Sequence, residues 1–451
     1  MDGTMRVAIM EGIGRMGFTQ RPIPTPKADE VLVKLEYVGI CGSDMHYYEK
    51  GAIGDFVVEP PFVLGHEPGG TVVEVGSAVT HLKVGDRVAL EPGKTCGHCK
   101  YCRQGKYNLC PDVVFFATPP VDGVFQEYVA HEADLCFKLP DNVSTLEGAL
   151  IEPLAVGFHA AIQGDAHLGQ KAVVMGAGCI GLVSMMALKA RGVEQVYVVD
   201  IMDKRLEKAM ELGATGVING KNEDVVAKVM ELTGGEGTDL VIETAGSEFT
   251  ARQAILMAGK GSTIVLVGYS RTGEMTLPTD YILNKELTLK SIFRYRHIYP
   301  TAIEAVAAGK INLKGIVTDI FPLSDIQHAM DESVRNKADI VKAVIKIDLF
   351  QNPAVWPGFR LFLGIFPFRI HAAADVAFLL VPVQYGSGLQ IELGMEPLQT
   401  GGDILVHRGF GNAKMPCGSP NGGAGFNDVH SQFTGSLLHW FCHIATSDAV
   451  C

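Results

Sequence analysis

Apolar and polar positions change period several times along this chain. MRVAIM and EVLVKLEYV, within residues 5–37, are apolar or alternating runs and predict strands. QRPIPTP between them predicts an extended linker broken by proline. TVVEVG (71–76) and VGDRVAL (84–90) predict further strands, and residues 112–140 predict a loop followed by short strands. From residue 144 the period becomes helical in STLEGALIEPLAVGFHAAIQ, where Ser144 and Glu147 stand at capping-box spacing. An apolar strand, KAVVM, then runs into a glycine-rich turn and a helix. A helix at 203–212, a strand at GVIN, a helix at 222–233, a strand at DLVIETAG, a helix at 249–258 and a strand at STIVLVG follow. This alternation predicts an α/β fold with a doubly wound parallel sheet. A helix at 323–334 and a strand at IVKAVIKI (340–347) come after it.

The C-terminal stretch, 348–451, has another character. Charge is sparse, glycines cluster without a period, and both tryptophans, Trp356 and Trp440, fall there. WPGFRLFLGIFPFRI is apolar but interrupted by Pro, Gly and Arg, and is too short to span a bilayer. Its local signals agree on no fold, so this tail reads as an appendage of unassigned role, with an interaction segment as the rival reading. His439, Cys442 and His443 lack a second cluster to complete a metal site.

Composition narrows the class. A chain of 451 residues with a net charge of −12 excludes the basic surface expected of a nucleic-acid or anionic-membrane binder. No signal-peptide pattern opens it and no apolar run spans a bilayer, so a cytoplasmic protein is expected. Ten cysteines are present, and their grouping with His and Glu fits metal binding in a reducing compartment.

The chemistry concentrates in two places. GICGSDMHYY (39–48) holds Cys41, Ser43, Asp44, His46 and Tyr47; LGHEPGG adds His66 and Glu67, and LIEPLAV adds Glu152 within an apolar helical segment. Cys, His and carboxylate are the ligand types of a catalytic zinc that keeps one position open. A buried carboxylate needs a partner or a metal, which gives Glu152 a ligand or supporting role. Ser43 is placed to pass a hydroxyl proton toward His46. The second place is the fingerprint Gly176-x-Gly178-x-x-Gly181, with Ile180 inside it, between a strand and a helix. Asp200 ends the next strand. Strand, glycines, helix, strand and acid in register predict a dinucleotide site. Asp200 accepts both adenosine ribose hydroxyls and repels a 2′-phosphate, favouring NAD, while the nearby Arg205 keeps NADP open. Cys96, Cys99, Cys102 and Cys110 are spaced C-x2-C-x2-C-x7-C, which fits a closed structural zinc site. An iron–sulfur cluster is the rival. His98 within that loop reads as a solvated residue and Cys136 as a buried, inert one. Phe115, Phe116 and Thr118 read either as pocket lining or as core, and Arg294 and Tyr295, at the end of an expected strand, either as substrate contacts or as surface.

These motifs resemble the zinc-dependent medium-chain alcohol dehydrogenases, and within them the sorbitol (L-iditol) and xylitol dehydrogenases. The resemblance covers residues 5–347. It rests on GICGSDMHYY, GHEPGGTVVEVG, the four-cysteine loop, FFATPP, IEPLAV, GAGCIG with VVDIMDKRLEKAMELGA, and FRYRHIYP. It implies a GroES-like β-rich catalytic domain (1–155, completed by 295–347) around a Rossmann NAD-binding domain (156–294). It also implies one catalytic and one structural zinc, and a homotetramer or dimer. Cys41, His66 and a glutamate would hold the catalytic metal, with either Glu67 or Glu152 binding directly and the other through water. Tyr47, Phe115, Thr118, Arg294 and Tyr295 would line the polyol site. The implied reaction oxidises a polyol at its second carbon to a ketose with NAD. Oxidation of 2,3-butanediol or L-threonine is the alternative within the fold, and a non-catalytic NAD- and zinc-binding protein with an interaction tail is the alternative outside it.

Overall fold

The computed structural model describes residues 3–270 and 272–348, together with the backbone of 378–385 and 388–395. The described residues up to 348 belong to one compact unit.

That unit begins with a hairpin, β1 (Thr4–Gly12) and β2 (Arg15–Pro22), paired antiparallel. Strand β2 is absent from the sequence reading. Only Met16 in it is fully buried, and Gly17 to Pro22 alternate merely between half-buried and exposed, because it lies at an edge where only β1 pairs with it. The proline-rich linker therefore starts only after Pro22. β3 (Glu30–Gly39), α1 (Gly42–Lys50), β4 (Glu67–Val75) and β5 (Arg87–Leu90) follow, then the short helix α2 (Lys100–Arg103), β6 (Tyr128–Glu132) and β7 (Cys136–Lys138). The long helix α3 (Thr145–Gln163) starts at the expected cap. Ser144 N donates to Glu147 Oε2 at 2.8 Å, and Ser144 Oγ accepts from Glu147 N at 3.3 Å.

The α/β alternation then runs as read: β8 (Lys171–Met175), α4 (Cys179–Ala190), β9 (Gln195–Asp200), α5 (Asp203–Glu211), β10 (Gly216–Asn219), α6 (Val225–Leu232), β11 (Thr238–Glu243), α7 (Glu248–Met257), β12 (Ala258–Leu266), α8 (Thr279–Asn284) and β13 (Thr288–Ser291). Its six strands are parallel in the order β10-β9-β8-β11-β12-β13. The chain leaves this sheet through α9 (Tyr299–Ala307) and returns with β14 (Asp319–Pro322), α10 (Ile326–Arg335) and β15 (Ala343–Lys346). β14 and β15 complete a second sheet of order β7-β5-β4-β3-β15-β14, in which β6 also pairs with β3. The last strand of the chain's first 350 residues thus lies beside β3, the strand that leads into Cys41.

α3 ties the two sheets together. Leu150, Ile151, Leu154 and Phe158 share one buried cluster with Val174, Leu182 and Met185 of the parallel sheet and its helix, and with Tyr299 and Ile303 of α9. Fully burying each such apolar side chain contributes roughly 1.5–3 kcal/mol. The carboxylate of Glu152 is carried on the same helix, buried among these residues.

Among the described residues no helix is long and apolar enough to cross a membrane. In the separate C-terminal unit, Phe378–Tyr385 pairs antiparallel with Gly388–Met395, a hairpin where the sequence reading finds no element. The WPGFRLFLGIFPFRI stretch, both tryptophans, and His439, Cys442 and His443 lie outside the described residues.

Candidate active site

The strand β3 ends at Gly39, and α1 begins three residues later with Cys41 as its N-cap. The sequence reading treats 39–48 as a ligand stretch without a helix. The helix is what arranges it. Asp44 stands three residues past the cap, its Oδ2 accepting from Cys41 N at 2.9 Å and its Oδ1 from Gly65 N at 2.9 Å. Asp44 therefore pins the loop that delivers His66 and Glu67. Its Oδ1 also lies 3.6 Å from His66 Nδ1, behind the imidazole. Burial opposes charge on both groups. It is outweighed by their mutual attraction, which lowers Asp44 and raises His66 well above its ordinary value, with Cys41 adding to the latter. The role of Asp44 escaped the sequence reading, although an acid three residues after a helix cap is itself a readable signal.

Cys41, His66 and Glu67 offer ligand atoms that all lie within 4.8 Å of one another. One zinc ion with bonds of about 2.0–2.3 Å spans such a set. A half-buried thiol, a buried imidazole and a carboxylate only 1% exposed are the donor types of a catalytic zinc, so the donor set fits the metal. Glu67 also faces Lys342, whose Nζ donates to Oε1 at 2.7 Å and to Ile40 O at 3.0 Å. Lys342 is 3% exposed; burial alone would lower it, but the Glu67 charge raises it. Gly39 makes room for this pair: a Cβ there would stand 1.9 Å from Glu67 Oε2. Glu152 is not in the three-residue set. It is buried close by, and burial pushes its carboxyl up to about 7 against the pull of His66.

The residues expected around a substrate do meet. The Arg294 guanidinium lies 3.7 Å from the Phe115 ring centre and donates from Nη2 to Thr118 Oγ1 at 3.3 Å. The Phe115 ring stands 5.9 Å from that of His66. Tyr47 is buried, and burial raises its phenol to about 12. Arg294 Nη1 and the Tyr295 hydroxyl are buried without hydrogen-bond partners. Such polar atoms cost free energy unless a ligand satisfies them. Ser43 is half-buried in the first turn of α1, and His46 is exposed one turn on. Phe116, the undecided neighbour of Phe115, packs on the β-rich core. Arg294 does not end a strand: β13 stops at Ser291, and Arg294 has a left-handed φ of 55°.

The dinucleotide fingerprint forms the turn from β8 into α4. Gly178 caps the helix, Ile180 lies in its first turn, and a Cβ on Gly181 would meet Gly176 O at 1.8 Å. Asp200 closes β9, with Oδ2 accepting from Ala177 N at 2.7 Å. The acid thus holds the glycine turn. Arg205 lies over the turn, 3.8 Å from where a Gly178 Cβ would be.

The four cysteines come together as expected. Cys96 and Cys102 Sγ are 4.0 Å apart, and Cys99 and Cys102 Sγ 3.5 Å, near the edge of about 3.8 Å in a tetrahedron of 2.3 Å bonds. Backbone N–H groups point at the sulfurs. They lower the Cys96 thiol, and Cys102 N brings Cys99 down to about 7, whereas burial raises Cys110 to about 11. His98 is exposed, its ring bonded to Cys96 O, and buried Cys136 has its thiol raised by burial, as an inert group should.

Glu91 and Tyr107 were not singled out in the sequence. Tyr107 Oη donates to Glu91 Oε1 at 2.8 Å. Burial nevertheless lifts the Glu91 carboxyl to about 7. The unfolded glutamate ionises near its ordinary 4.5, so between these values the folded chain keeps a proton that the unfolded chain has lost. Stability is full below about 4.5 and falls by roughly 3 kcal/mol as pH rises through 7. Glu91→Gln is expected to flatten that part of the wild-type curve in denaturant melts from pH 4.5 to 8. Parallel curves for the two proteins would refute it.

Comparison with known proteins agrees with this geometry. Residues 27–141 match the alcohol dehydrogenase GroES-like domain, and residues 179–308 the zinc-binding dehydrogenase domain. A zinc-type alcohol dehydrogenase-like protein of Escherichia coli is 47% identical over 356 residues, covering 75% of this chain and 98% of that protein. The sorbitol dehydrogenase of Bacillus subtilis is 42% identical over 341 residues, covering 76% and 97%. A solved Escherichia coli alcohol dehydrogenase in complex with NADH superposes with a TM-score of 0.70 at 31% identity, covering 76% of this chain and 99% of that one. The chain belongs to the zinc-dependent medium-chain alcohol dehydrogenases of the sorbitol dehydrogenase type, an oxidoreductase family that works with zinc and a nicotinamide dinucleotide.

Proposed function

We propose that this chain oxidises a polyol, sorbitol (L-iditol) or xylitol, at its second carbon to a ketose and passes the hydride to NAD. One observation carries this reading: Arg294, paired to Thr118 and stacked on Phe115, stands with unpartnered polar atoms on the side of the Cys41–His66–Glu67 cluster. A pocket of that kind suits a substrate with several hydroxyls. Zinc supplies Lewis acidity and the nicotinamide accepts the hydride.

Cys41, His66 and Glu67 hold the metal, and Glu152 holds a water beside it. Ser43 takes the hydroxyl proton and hands it toward His46, which is exposed to solvent. Arg294, Tyr295, Thr118 and Tyr47 bind the remaining hydroxyls. Gly176, Gly178, Ile180 and Gly181 receive the pyrophosphate at the N-terminus of α4. Asp200 takes the adenosine ribose, with Arg205 flanking it. Cys96, Cys99, Cys102 and Cys110 bind the structural zinc. In this reading a catalytic module of 1–155 and 295–347 surrounds a nucleotide module of 156–294, and the tail from 348 lies outside both. The working protein is a cytoplasmic homotetramer.

The test is the initial rate of NADH formation from sorbitol, xylitol, L-threonine and 2,3-butanediol, each with NAD and with NADP, before and after chelation. Chelator-sensitive, NAD-linked turnover of the two polyols is the expected result. Turnover confined to the diol or threonine moves the assignment to another secondary alcohol, and no turnover of any by a zinc-loaded, folded sample leaves the non-catalytic reading.

A further inference from the structure

We propose that the four-cysteine lobe is a positioning device for the substrate pocket, in which Tyr107 and Asn108 hold residues 293–297 so that Arg294 and Tyr295 face the Cys41–His66–Glu67 cluster. This rests on the reading of Arg294 and Tyr295 as polyol-binding residues.

The segment needs holding. It lies between the end of β13 at Ser291 and the start of α9 at Tyr299, so no sheet ladder or helix fixes its backbone. Arg294 and His297 both take left-handed φ values, 55° and 54°, a state that side-chain-bearing residues disfavour. The constraint comes from across the chain. The Asn108 amide brackets the two pocket residues: its Nδ2 donates to Phe293 O at 2.8 Å, and its Oδ1 accepts from Arg296 Nη1 at 3.0 Å. Asn108 is 5% exposed, so no water competes for a bond it gives up. Tyr107 takes the next position, its hydroxyl accepting from His297 N at 2.8 Å while donating to Glu91. The His297 ring packs edge-on against Tyr107, with centroids 4.8 Å apart, and its Nε2 donates to Gly105 O at 2.9 Å.

Gly105, Tyr107 and Asn108 all lie in the loop between Cys102 and Cys110. Those two cysteines close the loop when the four thiols share a metal, which fixes the distance between its ends. The order of influence then runs from the lobe's metal to the loop, to Asn108, to the backbone at 293–296, and so to the Arg294 guanidinium. Tyr107 and Asn108 touch neither substrate nor cofactor in this scheme. They are positioning residues, and their signature is a split between substrate binding and everything else.

The experiment uses the full-length, zinc-loaded chain and its Asn108→Ala and His297→Ala variants; His297 is exposed, so its variant folds even if the buried asparagine proves indispensable. Four quantities are read: polyol KM and kcat, NADH affinity by fluorescence, zinc per chain, and amide hydrogen exchange of a peptide spanning 292–298. Asn108→Ala is expected to raise polyol KM by between about 10-fold and 100-fold. NADH affinity and zinc content stay at wild-type values, and exchange rises at 292–298 alone. His297→Ala gives the same pattern more weakly. Asn108→Asp keeps the acceptor for Arg296 and falls between wild type and alanine. Cys99→Ser, which gives up the lobe's metal, reproduces the KM and exchange changes with the other zinc retained. Unchanged KM and exchange in the alanine variants would overturn the proposal. So would losses of NADH binding, zinc and stability in step with KM, which mark a merely structural role. Should the wild type turn over no polyol, hydrogen exchange alone decides the clamp, and the polyol reading fails separately.

Discussion

His66→Ala is expected to leave the chain with one zinc fewer and NAD-linked turnover lower by at least about 1,000-fold. The imidazole is the central donor of the cluster, 7% exposed and backed by Asp44 at 3.6 Å. Removing it leaves Cys41 and Glu67 from the three-residue set, below the three protein ligands that a catalytic zinc ordinarily has. Losing Lewis-acid stabilisation of about 4 kcal/mol corresponds to that factor in rate. The four-cysteine lobe shares no ligand with this site, so its zinc remains. NADH affinity stays near wild type, because Gly176–Gly181 and Asp200 lie on other elements. Metal analysis and initial rates on the same preparation check both parts. Undiminished zinc content would show that the metal sits elsewhere, and turnover within tenfold of wild type would show that the reaction does not depend on it.

Much of this site is local in sequence and was legible there. Cys41, Ser43, His46 and Tyr47 fall within one helical start, the glycine fingerprint occupies a single turn, and the cysteine lobe closes within 15 residues of chain. What escaped reading is of two kinds. Strand β2 is an edge element whose half-buried positions are Gly17, Thr19 and Arg21 while Phe18 is exposed, so hydrophobic period carries little signal. Lys342, Asn108 and Tyr107 are functional only through partners far along the chain: Asn108 meets Phe293 and Arg296, and Lys342 meets Glu67. Such pairs are made by the return of β15 beside β3 and by the packing of the lobe against the segment before α9. Nothing in hydrophobic period reports them. The trace available was Lys342 among the apolar residues of IVKAVIKI, whose other lysine, Lys346, stands at the exposed end of the strand; an unpaired charge at the former place would be costly.

That lysine gives the second large effect. Lys342→Met is expected to destabilise the chain by about 3–5 kcal/mol, the cost of leaving a buried charge without its partner. Lys342 Nζ reaches both Glu67 oxygens, at 2.7 and 2.5 Å, and Ile40 O at 3.0 Å. It therefore joins the start of β15 to β3 and to the metal-binding glutamate in one step. Methionine has a similar volume, so packing is kept and the charge is what changes. The zinc state sets the size of the effect. With zinc bound, the ion is a second counter-charge for Glu67 and the loss is smaller; in the stripped chain Lys342 is the main counter-charge and the full cost is seen. Adding Glu67→Gln to Lys342→Met is expected to recover part of the loss in the stripped chain, because a buried pair removed together costs less than one half removed. Denaturant melts of wild type, both single variants and the double variant, each with and without zinc, measure this. A Lys342→Met cost below about 1 kcal/mol in the stripped chain, or a double variant no more stable than the single, would mean that Lys342 is not the counter-charge of Glu67 and ties the two strands only by its hydrogen bond to Ile40 O.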